Sequence, residues 1–308
     1  MRPDSDTALY VFQDARPRLW GLAYRMLGSR ADADDAVQDT FLKWQAADHG
    51  AIEVPEAWLT AVCTRRCVDM LRAAHRTRVD YVGPWLPEPL VMVDDSPNAA
   101  EQIELADSLS MAFLLLLERL SPPERAAYLL REVFDYDYAE VSRILEKSPD
   151  ACRQMVSRAR RHLADDGDKN GVNKGTKGGK PRHSGLRPDA ARRDQLLDGF
   201  LDALQSGEAG PIEALLAEDA ALWSDGGGKA AAALNVIHGA NNIARFLAGI
   251  WNKNGHGFTI ERTVVNGDPG VIFREAGEIS TVTSFAVDRG GRITGVFIVR
   301  NPDKLPRS

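Results

Sequence analysis

The stretch Asp137-Tyr138-Ala139-Glu140-Val141-Ser142-Arg143-Ile144-Leu145-Glu146-Lys147-Ser148-Pro149-Asp150-Ala151-Cys152-Arg153-Gln154-Met155-Val156-Ser157-Arg158-Ala159-Arg160-Arg161-His162-Leu163 decides how the first half of this chain is read. Tyr138 to Leu145 has the apolar spacing of one short amphipathic helix. Glu146-Lys147-Ser148 is a three-residue turn. Ser148 is suited to cap a second helix, with Pro149 at its first position, where a missing N–H does no harm. On that helix Cys152, Val156, Ala159 and Leu163 fall on one face, while Asp150, Arg153, Gln154, Ser157, Arg158 and Arg161 spread over the other. This is helix-turn-helix spacing, with a second helix able to lie in a major groove. Arginine and glutamine match the groove edges of guanine and adenine, and the later arginines suit phosphates. Taken alone, the stretch also fits a helical hairpin whose charged face is only solvated.

Charge supports the first reading once it is resolved along the chain. The 308 residues carry a formal net charge of -6, yet residues 153–193 hold 12 Lys+Arg against 4 Asp+Glu. A basic segment inside an acidic protein points to a polyanion partner better than the overall balance does. Composition excludes other classes. Three cysteines exclude a disulfide-stapled scaffold, and 44% hydrophobic residues exclude a wholly disordered or fibrous chain. No run of about 18 apolar residues is present to span a bilayer. Met1 to Tyr10 has no apolar core behind a basic start, so no secretory signal is read there and the cytoplasm is the expected location.

Upstream, residues 7–80 read as helical. Trp20, Ala23, Tyr24 and Leu27 recur at helix spacing, as do Val37, Phe41 and Trp44. Gly28-Ser29 ends one helix, and Asp32 to Asp35 suit the first turn of the next. Pro55-Glu56 opens a third helix, running to about His75. On it Arg65, Arg72 and Arg76 form a basic stripe with Asp69 between them, opposite Leu59, Cys63, Cys67 and Met70. Such a stripe suits a helix that tracks phosphates. Trp58 lies near the basic side, positioned either to stack on an unpaired base or to fill the core, and the core reading is the stronger for that residue. The acidic run from Asp32 to Asp39 suits a basic protein partner or plain solvation.

Prolines 84, 87, 89 and 97 forbid a helix in 81–100, but Val82, Trp85, Leu86, Leu90, Val91, Met92 and Val93 are too apolar for a solvated tether, so this linker is expected to pack on something. Residues 101–163 are helical again, with Ser121-Pro122-Pro123-Glu124 as a helix start. Residues 166–190 read as a flexible basic tether rich in glycine and lysine. Beyond it come helices at about 191–206 and 210–217, a strand near 220–224 and a helix near 240–251. Four β-rich runs follow at 257–265, 270–275, 279–288 and 292–300. Glu275-Ala276-Gly277 and Arg289-Gly290-Gly291 are hairpin-type turns. Helices followed by a meandering sheet indicate an α+β domain.

Together these segments resemble an extracytoplasmic-function sigma factor of bacterial RNA polymerase. The resemblance implies a multidomain chain: two all-α domains, sigma-two over 1–80 and a helix-turn-helix sigma-four over 101–165, joined by a linker over 81–100. After the tether, 191–308 would be an α+β, cone-shaped SnoaL-like domain of the nuclear-transport-factor-two type. Three motifs carry that last resemblance: Trp85-Leu86-Pro87-Glu88-Pro89, Asp225-Gly226-Gly227-Gly228-Lys229 and Asn301-Pro302-Asp303-Lys304-Leu305. The resemblance further implies that Asp34, Asp35, Val37, Gln38, Asp39 and Phe41 meet the clamp helices of the β′ subunit, with a second polymerase contact at the β flap. Trp58, Arg65, Arg66, Arg72 and Arg76 would read the minus-ten element. Asp150, Arg153, Gln154, Ser157, Arg158 and Arg161 would read the minus-thirty-five element. The SnoaL-like extension would regulate the sigma core in place of a separate anti-sigma protein.

The residues themselves support docking of the C-terminal domain on sigma-two and the 81–100 linker, since Asp225 to Lys229 is a turn through which backbone approaches a neighbour closely. Lys229 and Lys304 are then candidates to pair with Glu88 or with sigma-two carboxylates. Two other readings concern the cone. As an enzyme it would need a buried general base, for which Asp219, Asp225, His238 and His256 are candidates, but none belongs to an evident acid/base pair and no catalytic residue is assigned. As a small-ligand sensor it would use Trp223, Phe246, Trp251, Phe258, Phe273 and Phe285 as pocket lining, residues that serve equally well as core. Cys63 and Cys67 lack a second pair to complete a metal site, so no metal or cofactor is expected, and three reduced, buried thiols are.

Overall fold

A computed structural model describes residues 5–77, 81–91, 109–169, 190–288 and 290–306. The chain forms two compact units, one built on residues 1–80 and 116–163, the other on 81–115 and 164–308.

In the first unit, helices α1 (Ser5–Leu27), α2 (Arg30–Ala46) and α3 (Pro55–Thr77) form the sigma-two-like part. Gly28, at φ 69°, closes α1, and the Ser29 hydroxyl accepts from the Asp32 amide to start α2. The apolar stripes meet in a core that includes Leu19, Leu22 and Tyr24 of α1, Ala33, Val37 and Trp44 of α2, and Leu59, Cys63 and Cys67 of α3. Helix α4 (Met111–Leu117) precedes α5 (Pro122–Tyr128), a π-helical turn at Leu129–Val133, α6 (Tyr138–Leu145) and α7 (Pro149–Lys169). The helix therefore runs through Lys169, three residues beyond Asp166, where periodicity fades; the rest of the expected tether, 170–189, lies outside the described residues.

The second unit contains α8 (Ala190–Ser206), α9 (Ala209–Leu215) and α10 (Ala240–Asn254) packed on a six-stranded sheet. The strands are β1 (Leu216–Asp225), β2 (Ile237–His238), β3 (Phe258–Val265), β4 (Asp268–Glu275), β5 (Glu278–Val287) and β6 (Ile293–Val299), in the order β2-β1-β6-β5-β4-β3. β3 to β6 form the expected antiparallel meander. β1 joins it parallel to β6, and β2 pairs with β1 across Ala221↔His238, which the sequence did not suggest. One sheet face meets the helices in a core built on Phe200, Leu204, Leu222, Ile243, Leu247, Phe285 and Val296. The other face carries Ala221, Trp223, Phe297 and Val299, and part of the 81–91 linker and the start of α4 cover it with Leu86, Met111 and Leu115. The expected α+β fold is thus present and residues 81–91 of the linker pack against it; the rest of the expected linker, 92–100, and the start of the helical stretch expected over 101–108 lie outside the described residues.

Candidate functional site

The helix-turn-helix is built by local chemistry. Asp137 accepts from the Glu140 amide at 2.8 Å while the Glu140 carboxylate accepts from the Asp137 amide at 2.8 Å, which opens α6 with a reciprocal cap. Glu146 ends α6 in the left-handed region at φ 52°, and the Ser148 hydroxyl accepts from the Ala151 amide to start α7. Cys152, Val156, Ala159 and Leu163 are buried, and Asp150, Arg153, Gln154, Ser157, Arg158 and Arg161 are exposed. Burial pushes the Cys152 thiol up. Three exposed arginines of this helix are held by acids. Arg153 pairs with Asp150 and lies 5.8 Å from the Tyr138 ring centre. Arg158 Nε donates to Glu124 Oε1 at 2.9 Å, and Arg160 Nη2 donates to Glu132 at 2.6 Å.

On α3, Arg65 and Arg66 are half-exposed and Arg72 is exposed. Arg65 pairs with Glu146, Arg66 Nε lies 2.6 Å from Asp39 Oδ2, and Arg72 Nη1 lies 3.4 Å from Asp69. The backbone of Arg76 lies in α3, but its side chain falls outside the described residues, as does that of His256. Trp58 packs its ring 5.6 Å from that of Trp44, favouring the core reading for this residue. On α2, Asp34, Asp35 and Gln38 are exposed, and Asp34 accepts from Trp20 Nε1 at 2.9 Å. Val37 is buried, and Phe41 sits against Phe12 with ring centres 4.7 Å apart, so both build the bundle rather than an outward face. The unit is tied across its two halves by Arg125, whose Nη1 donates to the Met26 carbonyl at 2.6 Å, and by Thr60 and Tyr136, whose hydroxyls lie 3.1 Å apart. Arg25 lies beneath the Phe134 ring, and burial pulls its guanidinium down to about 10.

The second cluster lies in the other unit and joins the three sequence motifs. Asp225, wholly buried, accepts four hydrogen bonds on its carboxylate. Oδ1 takes the Tyr81 hydroxyl at 2.6 Å and the Gly227 amide at 3.0 Å, and Oδ2 takes the Leu86 amide at 2.8 Å and Lys304 Nζ at 2.7 Å. Lys304 Nζ also donates to the Leu86 carbonyl at 2.6 Å and lies 4.2 Å from the Trp85 ring centre and 5.0 Å from that of Tyr81. Asn301 Nδ2 donates to the Tyr81 oxygen at 3.0 Å. Burial, and the hydrogen bond to Asp225, raise the Tyr81 phenol far above its ordinary value. Gly227 has φ 57°, and a Cβ there would lie 2.3 Å from Asn301 Nδ2, so the turn needs glycine twice over. Gly226 is as confined, since a Cβ there would lie 2.2 Å from the Ala230 carbonyl oxygen, and Gly228 faces Val82 of the linker. Pro87, Glu88 and Pro89 are buried, and Leu305 packs behind Leu86, while Pro302 and Asp303 are exposed.

Two details depart from expectation. Lys304 pairs with Asp225, and Lys229 pairs with Asp303. The reason is geometric: Asp225 ends β1 and Lys304 lies in the turn that follows the neighbouring β6, with the Asp225 carbonyl accepting the Arg300 and Asn301 amides. Two residues that sequence reasoning missed complete the clamp. Tyr81 is one. The other is Asn266, whose Oδ1 accepts the Leu90 amide at 3.0 Å while its own amide donates to the Leu90 carbonyl at 2.8 Å, beside a Val91↔Val265 bridge. Asn266-Gly267 reads as a two-residue hairpin turn, the one local signal available.

The cone candidates resolve into structure. Phe246, Trp251, Phe273 and Phe285 belong to the helix-side core, Trp223 stacks on Phe297 across the other face, and Phe258 sits edge-on to Phe273. A small cavity on the helix side is lined by Leu196, Leu197, Phe200, Pro269, Phe285, Val287 and Ile293, all apolar side chains. Asp219 and His238 are exposed and Asp225 is committed to the clamp, so these three candidates do not converge. Among the described residues no group of three or more His, Cys, Asp or Glu side chains is placed to hold a metal, and no helix is long and apolar enough to cross a membrane.

Residues 11–77 match the sigma-70 region 2 model, 110–163 the sigma-70 region 4 model and 197–304 the SnoaL-like domain model. Two sigma-70 regions followed by a SnoaL-like domain is the class of protein that this fold and these motifs define. The ECF RNA polymerase sigma factor SigJ of Mycobacterium tuberculosis is 32% identical over 307 residues, covering 96% of this chain and 93% of that protein. The chain therefore belongs to the extracytoplasmic-function (ECF) sigma factor family. The probable ECF sigma factor SigI of the same organism is 33% identical over 150 residues, 48% of this chain and 51% of SigI. The crystal structure of M. tuberculosis SigJ matches with a TM-score of 0.73 at 28% identity, over 96% of this chain and 97% of that one.

Proposed function

We propose that this chain directs core RNA polymerase to promoters in the cytoplasm and that its SnoaL-like domain regulates it by capturing the linker. In this reading the exposed face of α2, with Asp34, Asp35 and Gln38, meets the β′ clamp helices. The α3 arginines serve the minus-ten element, α7 the minus-thirty-five element, and the helix-turn-helix half approaches the β flap. The observation that carries the regulatory part is the clamp: residues 81–91 are held at Tyr81, Leu86 and Leu90 by Asp225, Lys304 and Asn266. That segment connects the two sigma regions, so a domain that grips it limits the reach between them, which a polymerase-bound sigma factor needs. The four-fold satisfaction of a fully buried carboxylate makes the grip specific, because a partial release leaves a buried charge short of donors.

The test is run-off transcription with core polymerase, comparing the full chain, the full-length Asp225→Asn variant and chains progressively shortened from the C-terminus. Initiation that rises on loosening the clamp supports capture as the control. Equal initiation by all forms refutes the regulatory reading, and no initiation by any form refutes the sigma assignment for this chain. A cone that binds a small ligand is a weaker reading, since its interior is filled by apolar side chains.

A further inference from the structure

Arg158 of α7 sits on the exposed face of the recognition helix, yet its guanidinium is held by one edge. Nε donates to Glu124 Oε1 at 2.9 Å, and among the described residues Nη1 and Nη2 make no bond within the protein. Glu124 is itself fixed. It is the third residue of α5, and its other oxygen, Oε2, accepts from the Ser121 hydroxyl at 2.6 Å and the Ser121 amide at 3.3 Å. Its side chain is 12% exposed against 45% for Arg158, so the acid is buried and the base faces outward. Burial raises the Glu124 carboxyl, but the bonds from Ser121 and Arg158 outweigh it and hold the group below the ordinary carboxylate range.

We propose that Ser121 and Glu124 are positioning residues for promoter recognition, orienting Arg158 so that its Nη groups are presented to the DNA in a fixed plane. The proposal rests on the reading of α7 as the minus-thirty-five helix. The physical reason is entropic. Arginine carries much rotamer freedom, and a planar fork held at Nε retains its outer donors for a bidentate contact while losing less freedom when it makes one. A carboxylate beside a DNA-binding surface is otherwise unfavourable, since it repels phosphates. The two effects have opposite signs, which makes the proposal decidable. If Glu124 acts on DNA only through its charge, Glu124→Gln tightens binding. If it positions Arg158, the same substitution weakens binding.

The experiment uses holoenzyme assembled from the full chain and core polymerase. A duplex library randomised over the minus-thirty-five region first yields the bound sequence, and affinity for that duplex is then measured across a salt series. Arg158→Ala is expected to weaken binding about tenfold and to lower the slope of log affinity against log salt by about one if the contact is to phosphate, or to relax preference at one position if it is to a base. Glu124→Gln is expected to weaken binding severalfold with the salt slope unchanged, because the arginine charge remains. Ser121→Ala keeps both charges and is expected to act in the same direction by a smaller factor, which guards against a Glu124 variant that fails to fold. In the Arg158→Ala background Glu124→Gln is expected to have no further effect. Tighter or unchanged binding by Glu124→Gln overturns the proposal, and so does a weakening that persists without Arg158. If Arg158→Ala itself changes neither affinity, slope nor preference, the reading of α7 fails at that residue and the proposal falls with it. The Glu124 result alone leaves that reading intact.

Discussion

Replacing Asp225 by asparagine keeps the shape of the side chain and removes one acceptor and the charge. In the native cluster each carboxylate oxygen accepts two donors. An amide has one acceptor oxygen, so its NH2 must face either the Gly227 amide or the Leu86 amide and the Lys304 ammonium, donor against donor. Lys304, with a side chain 13% exposed, then loses the Asp225 charge. Breaking one side of a buried pair is worth about 3–5 kcal/mol. Lys304 retains the Leu86 carbonyl and the faces of Tyr81 and Trp85, so the lower end applies. A loss of about 3 kcal/mol corresponds to about two decades in an opening equilibrium. Amide hydrogen exchange reads this directly at Leu86, whose N–H is bonded to Asp225. In the Asp225→Asn full chain the Leu86 amide is expected to exchange about a hundredfold faster, with a smaller acceleration at Leu90, which Asn266 holds separately. A change of less than about threefold at Leu86 would refute the assignment of Asp225 as the centre of the grip.

Gly227→Ala forces a Cβ against Asn301 at φ 57° and is expected to lower the unfolding free energy by about 2 kcal/mol in urea titration, more than Gly228→Ala, whose nearest neighbour is Val82 at 3.3 Å. Tyr81 and Tyr128 are expected to ionise well above the ordinary tyrosine range, because burial favours the neutral phenol of each. Their stabilisation is therefore present below the ordinary tyrosine value of about 10 and is lost as pH rises beyond it. Absorbance at the tyrosinate band should lose one late-titrating group in Tyr81→Phe. Cys63, Cys67 and Cys152 are fully buried, and the Cys63 neighbour together with burial holds the Cys67 thiol well above its usual range. A thiol reagent is expected to leave all three unmodified in the native chain and to titrate three after denaturation.

The parts legible in the sequence were those decided by neighbours in the chain. Ser148-Pro149, Asp137 with Glu140, and Gly28-Ser29 mark helix ends through bonds within a few residues, and the structure places them there. Ala276-Gly277 turns at φ 52° and 87°, as its composition demands. What escaped depended on distant partners. β2 is two residues long and exists only because Ala221 and Leu222 present an edge to it. β1 begins at Leu216 rather than Ala220, since Leu216 and Ala217 fit a helix pattern equally well until β6 lies beside them. Tyr81 and Asn266 carry no local mark of a role: one is 144 residues from Asp225 in sequence and the other 176 from Leu90. The apolar linker announced that it packs, but not on which face.

The low overall charge of this chain acquires a physical meaning from the same coordinates. Of the arginines proposed to read DNA, Arg65, Arg66, Arg72, Arg153 and Arg158 each already face an acid of the same unit: Glu146, Asp39, Asp69, Asp150 and Glu124. All five arginine side chains are more than a third exposed, so such pairs are individually worth about 0–1 kcal/mol and are exchangeable. Phosphates meeting these helices would replace existing partners instead of neutralising bare cations, and each contact would bring less free energy than an unpaired arginine gives. Non-specific attraction to DNA, which grows with every unpaired cation, is thereby held down. Affinity must then come from contacts made together, with both helices and the polymerase in place. Glu124 fits that logic differently from the other four acids, because it is buried and capped by Ser121 and is not displaced when DNA arrives. The exposed acids would tune how strongly the arginines attract DNA, while the buried one would fix where Arg158 points.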